Sequence, residues 1–557
     1  MAISRVTFGE WTPDQPGLTN GLQRADNVFA KAVGYGSINA AEDYSAAASE
    51  NLNNVVAART TTTGVTVVFA GGATKLFKLD TSDLSLDNVS KASRSITTVA
   101  RTTNVVTITT SAAHGYSVGD SVTVAAVINT DINGTFTITA VPTTTTFTYT
   151  DAGTNIVSGA DTGTVTFQYV TPDNQRWRFT QFGNVLVAAN GGNRLQGYNV
   201  NSSTNFSDLA ADAPQSRYVT VVRDFVVSGY VNDATIRPNR VQWSALGDES
   251  SWTNSATTQA DFQDIPDGGA VVGLTGGEFG LVFMDRSIHR MSYVGSPLVF
   301  QFDNISRNQG CYEANSIIQY GGTSFFLSDN GFYACNGQQI IPIGNEKVNR
   351  FFFDDVDEGL LPLMSAAVDP ARKLVIWAYA STSSATVDKL LIFNYEIGKW
   401  TSGTTTASRV ATSSTPSFTL EGLDVFGDLE DIQSSFDSRI WLGGKMQFAG
   451  VKNTKIVTFS GENNTAYIET GDIEVPGTTS AITMAKPIVD NGSGNVALVS
   501  RRLLNEQVVF GAQSVADAEN RVSIRGVGRY HRLQLTPTGL WKTAVGMDID
   551  LNGLGTR

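Results

Sequence analysis

Hydrophobic and polar positions alternate along most of this chain with the period of two that a half-buried strand imposes. The first clear case is Asn54–Asp80, "NVVAARTTTTGVTVVFAGGATKLFKLD", where β-branched runs are broken by Gly64 and by the pair Gly71-Gly72, so it reads as a hairpin. After residue 168 a short apolar strand recurs, followed by a turn and an aromatic-bearing strand. The instances are "NVLVAANGGNRLQGYNV", "DFVVSGY" with "NRVQWSAL", "GLVFMDRSIHRMSY", "TSFFLSDNGFYACNG", "KLVIWAY" with "DKLLIFNYEIGKWT", and "SRIWLGG" with "TKIVTFSG". Their first strands begin near residues 185, 225, 281, 324, 374 and 438, close to one propeller blade per interval. A blade cannot bury both faces alone, and closing blades into a ring removes their edges. An all-β fold led by a β-propeller is therefore expected, with residues 54–80 as a further blade. A pair of β-sandwiches built from the same hairpins is the rival.

Other segments depart from this rhythm. Residues 1–45 carry Pro13, Pro16 and scattered glycines, which deny them a long helix and suggest an extended arm. In residues 95–167, 22 of 73 positions are Thr and the only charges are Arg101 and four Asp. Its runs "NVVTITT", "DSVTVAAV", "GTFTITAV" and "TTFTYT" alternate between turn signals, so this block reads as a small β-domain of its own. Only "GNEKVNRFFFDDV" (Gly344–Val356) reads as helix, with Asn345 as N-cap and Phe351–Phe353 at its apolar end. Thr401–Ser417 reads as a flexible loop, since little in it rewards ordering. The last ninety residues return to strands.

Composition narrows the function classes. At 557 residues, 41% hydrophobic, the chain has room for several cores. Its net charge of −13 contains no Lys/Arg-rich run, which disfavours tight binding to phosphate backbones. No apolar run reaches the length of a membrane span and no leader is evident, so a soluble protein without membrane insertion is expected. Cys311 and Cys335 are too few for a disulfide framework or a four-cysteine metal site and read as reduced core residues.

Candidate chemistry is sparse. His289, between Arg286 and Arg290, would lie on a return strand sharing a face with Met291 and Tyr293, which makes it a packed blade residue rather than a general base. His114 and Asp120 fall at turns. "SDNGFY" (Ser328–Tyr333) resembles half of the Asp box of sialidases, but its Asn330-Gly331 pair suits a tight hairpin. The acidic runs "DDVDEG" and "DVFGDLEDIQ" lack calcium-loop spacing, and "DID" (Asp548–Asp550) lacks a third ligand. No catalytic residue, cofactor or metal is expected, and the chain is read as a non-enzyme.

The ordered motifs "PDQPGLTNGLQRADNVFAKAVGY", "RWRFTQFGNVLVAANG", "GGEFGLVFMDRSIHRMSY", "SFFLSDNGFYACNG", "VDPARKLVIWAY" with "LLIFNYEIGKW", and "GRYHRLQLTP" with "GMDIDL" resemble the tail nozzle proteins of short-tailed bacteriophages, also called tail tubular or packaged-DNA stabilisation proteins. The resemblance covers nearly the whole chain. It implies a virion tail protein, assembled in the host cytoplasm, with a propeller and a platform made from the chain ends. It further implies a homo-hexamer under the adaptor ring of the head-to-tail connector, around the channel through which double-stranded DNA passes without sequence preference. Tail fibres or a tail needle are further partners it suggests. The division it implies is an arm and platform at 1–45, first propeller strands at 46–94, an insertion at 95–167, blades at 168–470 and a C-terminal platform at 471–557. The insertion interrupts the approach to the signature Trp177, Phe179, Phe182 and Gly183, and resembles the immunoglobulin-like or small-barrel decorations of phage structural proteins. Six copies would carry about −78, so an acidic lumen would let the duplex slide without sticking. The candidate lumen or gate residues are Asp354, Asp355, Asp357, Glu358, Asp424, Asp428, Glu430 and Asp431. The rival function is a carbohydrate-binding or depolymerising propeller of a tail adhesin, for which Trp243, Trp252, Trp400 and Trp441 could form the sugar surface. A third reading is a scaffold outside any virus.

Overall fold

The computed structural model describes residues 3–16, 21–233, 235–416, 441, 443–475 and 477–555. Among these, seven antiparallel four-stranded meanders follow one another round a ring: six are separate sheets, and the four strands of the other begin a nine-stranded sheet. The innermost strands, in chain order, are Leu52–Arg59, Arg178–Phe182, Ser216–Val222, Val271–Thr275, Ile318–Tyr320, Ser365–Asp369 and Arg409–Ser413. Numbered along the chain, these define blades 1 to 7. The protein is a β-propeller. Its ring closes through the N-terminal arm: Glu42–Asp43 adds the outer strand of blade 7 by pairing with Thr458 and Val457, before the chain enters blade 1. Closure thus joins early sequence to late sequence and leaves no open edge at the seam.

Side chains and backbone clip neighbouring blades together. Gln181 accepts from the Arg59 N–H at 2.8 Å between blades 1 and 2. The Gly277 N–H donates to the Val221 carbonyl at 2.9 Å between blades 3 and 4, and Gln319 exchanges two bonds with Gly276 between blades 4 and 5. Thr412 receives the Val368 N–H at 2.6 Å between blades 6 and 7.

The Thr-rich insertion leaves between the outer strand of blade 1 and the inner strand of blade 2 and spans strands Arg94–Thr102 to Thr164–Gln168. Arg94–Thr102 pairs with both Val105–Thr110 and Thr164–Gln168, which closes six strands into a small barrel, and Ile156–Ala160 adds beside it. Val106, Ile108, Val122, Val124, Ile138, Phe147, Tyr149, Val165 and Phe167 face inward, and most of the threonines alternate with them on the outer side. The barrel core runs without a break into blades 1 and 2 through Tyr169, Trp177, Phe69 and Tyr198.

Both chain ends build a platform. Ile3–Thr7 and Tyr35–Ser37 pair with the last strand, Thr543–Gly555, which also pairs with Thr479–Asp490. Arg24–Asp26 bridges the outer strand of blade 6, at Ser402, to Tyr467–Glu469, and so continues the blade 6 sheet into the platform. One buried cluster, from Phe8 and Trp11 through Phe332, Trp377 and Trp400 to Ile549, unites platform, blade 5 and blade 6.

Four local expectations need correction. The helix is Asn349–Asp355, capped at Val348 without a side-chain bond, because the Gly344 carbonyl first takes the N–H groups of Lys347, Val348 and Asn349 in a turn that includes Asn345. Thr401–Ser417 is not a loop over most of its described part: Lys399–Thr404 closes blade 6 and Arg409–Ser413 opens blade 7. Two of its hydroxyls are bonded in the interior, Ser402 to Asp26 and Thr412 to the Val368 backbone, while those of Thr401 and Ser413 are buried without a partner, so polarity there marks interior rather than solvent. The last hairpin is Gln447–Lys452 with Lys455–Thr458, later than position 438, turning through Asn453 at φ 53°. In the blade 5 hairpin, Ser328 pairs with Gly331, so the turn is Asp329-Asn330; Gly331 takes the positive φ, and a Cβ there would strike the Asn349 side chain at 1.9 Å.

Candidate functional site

The acidic candidates divide in two. Asp354 and Glu358 are exposed. Asp355 accepts the Tyr379 hydroxyl at 2.8 Å, and Asp357 caps the turn Glu358–Leu363 by accepting the Gly359 N–H at 2.9 Å, so these two hold the approach to blade 6 in place. Asp424, Asp428, Glu430 and Asp431 lie outside the described residues.

The three histidines are buried. His289 sits on the return strand of the blade 4 hairpin, its Nε2 2.9 Å from the Ser287 hydroxyl. His114 stacks on Tyr116 at 4.9 Å and accepts the Tyr116 N–H through Nδ1. His531 lies between the two platform sheets, Nε2 against Ser480 at 2.9 Å and Nδ1 against Ser500 at 2.8 Å. Burial pushes all three imidazoles below their ordinary range. Both cysteines are buried free thiols, and burial pushes Cys311 up to about 12.

Trp243, Trp252 and Trp400 are within the cores, each at most 2% exposed, with indole N–H groups donated to the carbonyls of Gln259, Glu249 and Ile343. They do not form a surface that could stack on a sugar. Trp441 is half-buried. Among the described residues no three His, Cys, Asp or Glu side chains gather as metal ligands, and no helix is long and apolar enough to cross a membrane.

Charged joints are what inspection of the sequence missed. Arg101, on the first strand of the insertion, is wholly buried and binds Asp131 and, at 2.9 Å, Asp151. Lys91, at the foot of the barrel, meets Asp208 of blade 2 at 2.6 Å and lies over the Phe167 ring at 4.3 Å. In the platform Asp472 joins Arg501 and Arg532, and Arg532 also reaches Glu469. One basic residue among four Asp was the only hint of the first; the other partners are far apart in sequence.

No family model matches the chain, and no curated protein matches it. Solved structures do resemble it. A chain of the mitotic checkpoint complex matches at 12% identity and TM-score 0.30, covering 54% of this chain and 82% of that one. A β-propeller domain from Myceliophteria thermophila matches at 8% identity and TM-score 0.25, covering 42% and 89%. Dihydro-heme d1 dehydrogenase in complex with its ligand matches at 12% identity and TM-score 0.28, covering 86% and 79%. The architecture given above rests on this chain's own strand pairing.

Proposed function

We propose that this chain is a structural protein of a short-tailed phage, the tail nozzle, six copies of which form a tube that retains the packaged genome and conducts DNA during ejection. The observation that carries the reading is the placement of the two additions to the ring. The platform, built from both chain ends, is fused to blade 6 and shares its core with blade 5. The barrel leaves between blades 1 and 2. In a seven-membered ring these points are nearly opposite, so a subunit docked by its platform to an adaptor ring would carry its barrel away from that contact. This supports a tubular subunit with a docking end and a decorated outer end. The net charge of −13 per copy supports a conduit that repels phosphate rather than a groove that grips it.

A short affinity tag inserted at the exposed barrel turn Thr144-Thr145 tests the proposal. Gold label on purified particles is expected on the tail, below the portal. Label on the capsid shell, or none on particles that retain infectivity, would overturn it. The sugar-binding reading has lost three of its four tryptophans to the interior and has no observation in its favour.

A further inference from the structure

The inner strands of all seven blades line a central cavity of about 310 Å³. Much of the wall is small or hydroxylic, with Thr180, Thr220, Thr275 and Thr412 contributing. Charge is confined to one mouth. Each blade begins at its inner strand, so residues at the starts of those strands share one end of the axis. Arg178 begins the inner strand of blade 2, Arg176 precedes it by two positions, and Arg409 begins that of blade 7. The turn Ala314–Ser316, with Glu313 as its N-cap, lies just before the inner strand of blade 5.

Arg178 donates Nη2 to Asn315 Oδ1 at 2.7 Å and lies 5.0 Å from the centre of the Tyr218 ring. Arg176 donates Nη2 to the Asn315 carbonyl at 3.3 Å, and its Nε is buried with no partner. Arg409 donates to the Ser408 carbonyl at 2.8 Å. Among the described residues no carboxylate stands within ion-pair distance of any of the three. The one carboxylate that faces them, Glu313, accepts the Asn315 N–H at 2.9 Å instead. Three guanidiniums against one carboxylate leave an excess of positive charge inside an acidic protein. Burial pushes Arg176, Arg178 and Arg409 down from the ordinary arginine range, and mutual repulsion adds to this for Arg176, while burial pushes Glu313 up. Half-buried positive charge with no ion-pair partner, together with one N–H that is itself buried and unbonded, calls for an acceptor.

We infer that this mouth of the propeller channel binds a small oxyanion, phosphate or carboxylate, held between Arg176 and Arg178. Planar N–H forks match both oxyanions, and the cavity is at the lower end of small-molecule sites. The Arg176 Nε supplies the donor that the chain itself leaves unused. The inference stands independently of the nozzle reading.

Calorimetric titration of the intact chain with inorganic phosphate, and separately with succinate, at ionic strength fixed by chloride, is the test. Saturable one-site binding of at least one is expected, weakened about tenfold or more by Arg176→Gln, and the stronger of the two identifies the ligand class. Arg176→Lys keeps the charge but not the fork and should bind more weakly than the natural chain; it decides the matter if the Gln variant does not fold. No saturable binding of either anion to the natural chain, or equal binding by the natural chain and a folded Arg176 variant, would overturn the inference.

Discussion

Trp177 reaches from the start of blade 2 to donate its indole N–H to the Gly72 carbonyl at 2.9 Å, and packs edge-on against Tyr169, just past the last strand of the insertion, at 5.0 Å. Blade 1 leaves room only because residue 71 is glycine: a Cβ there would lie 2.3 Å from the indole. Gly71→Ala is therefore expected to cost about 1–3 kcal/mol by overpacking, read as a lower thermal midpoint with altered tryptophan fluorescence. An unchanged midpoint would mean the joint is loose. His531 carries the pH dependence of the platform. Its ring is held neutral by burial between two serine hydroxyls, below the ordinary imidazole value of 6.5. The unfolded chain then takes up the proton first as pH falls, so stability is full above that value and declines below it toward the lowered folded value. Between about pH 7.5 and about pH 5.5 the natural chain should lose more thermal stability than His531→Gln, with His114 and His289 supplying the residual slope. Equal slopes would remove His531 from that role. At this scale the sequence shows little more than residue type: the pattern places His289 on its strand face, yet nothing near Arg176 or Arg101 in the chain points to their partners.

Strands were legible where apolar alternation was clean and lost where hydroxyls replaced it. Leu374–Tyr379 is a continuous buried apolar run and Phe225–Asn232 opens on one at Phe225, Val226 and Val227, and their hairpins stand near the expected positions. Arg409–Ser413 is also largely buried but carries Thr412, whose hydrogen bonds go to the neighbouring blade, and Ser413, and it resembles a loop on paper. Closure by Glu42–Asp43 was invisible for a different reason, since two residues pairing with a strand more than four hundred positions away leave no local pattern. The insertion is fixed to the ring rather than tethered. Lys91, nearly buried, faces Asp208 at 2.6 Å and Asp120 at 3.9 Å. Lys91→Met should leave two carboxylates without their cation and cost about 3 kcal/mol or more, with proteolysis between the barrel and blade 2 rising accordingly. A variant as stable and as protease-resistant as the natural chain would show that the apolar contacts of Tyr169 and Phe167 suffice.

For the whole molecule, the ring order sets what each addition can reach. Platform and barrel leave from nearly opposite blades, and the closing strand ties the platform arm to the seam between blades 7 and 1. If the outer acids of the blade 6 approach face a DNA channel, Asp354→Lys with Glu358→Lys should slow genome release in low salt, where screening is weak, and the effect should fade as salt rises. An unchanged release rate would take these two residues out of the lumen. Asp355 and Asp357 are poor choices for that experiment, since their internal bonds tie charge change to folding. The most direct test of the nozzle assignment is peptide-level quantification of this chain in purified virions against the portal protein. A closed six-fold tube predicts about six copies per particle, half the number of the twelve-copy portal ring that the resemblance to tail nozzle proteins implies. Absence of the chain from infectious particles would contradict the assignment.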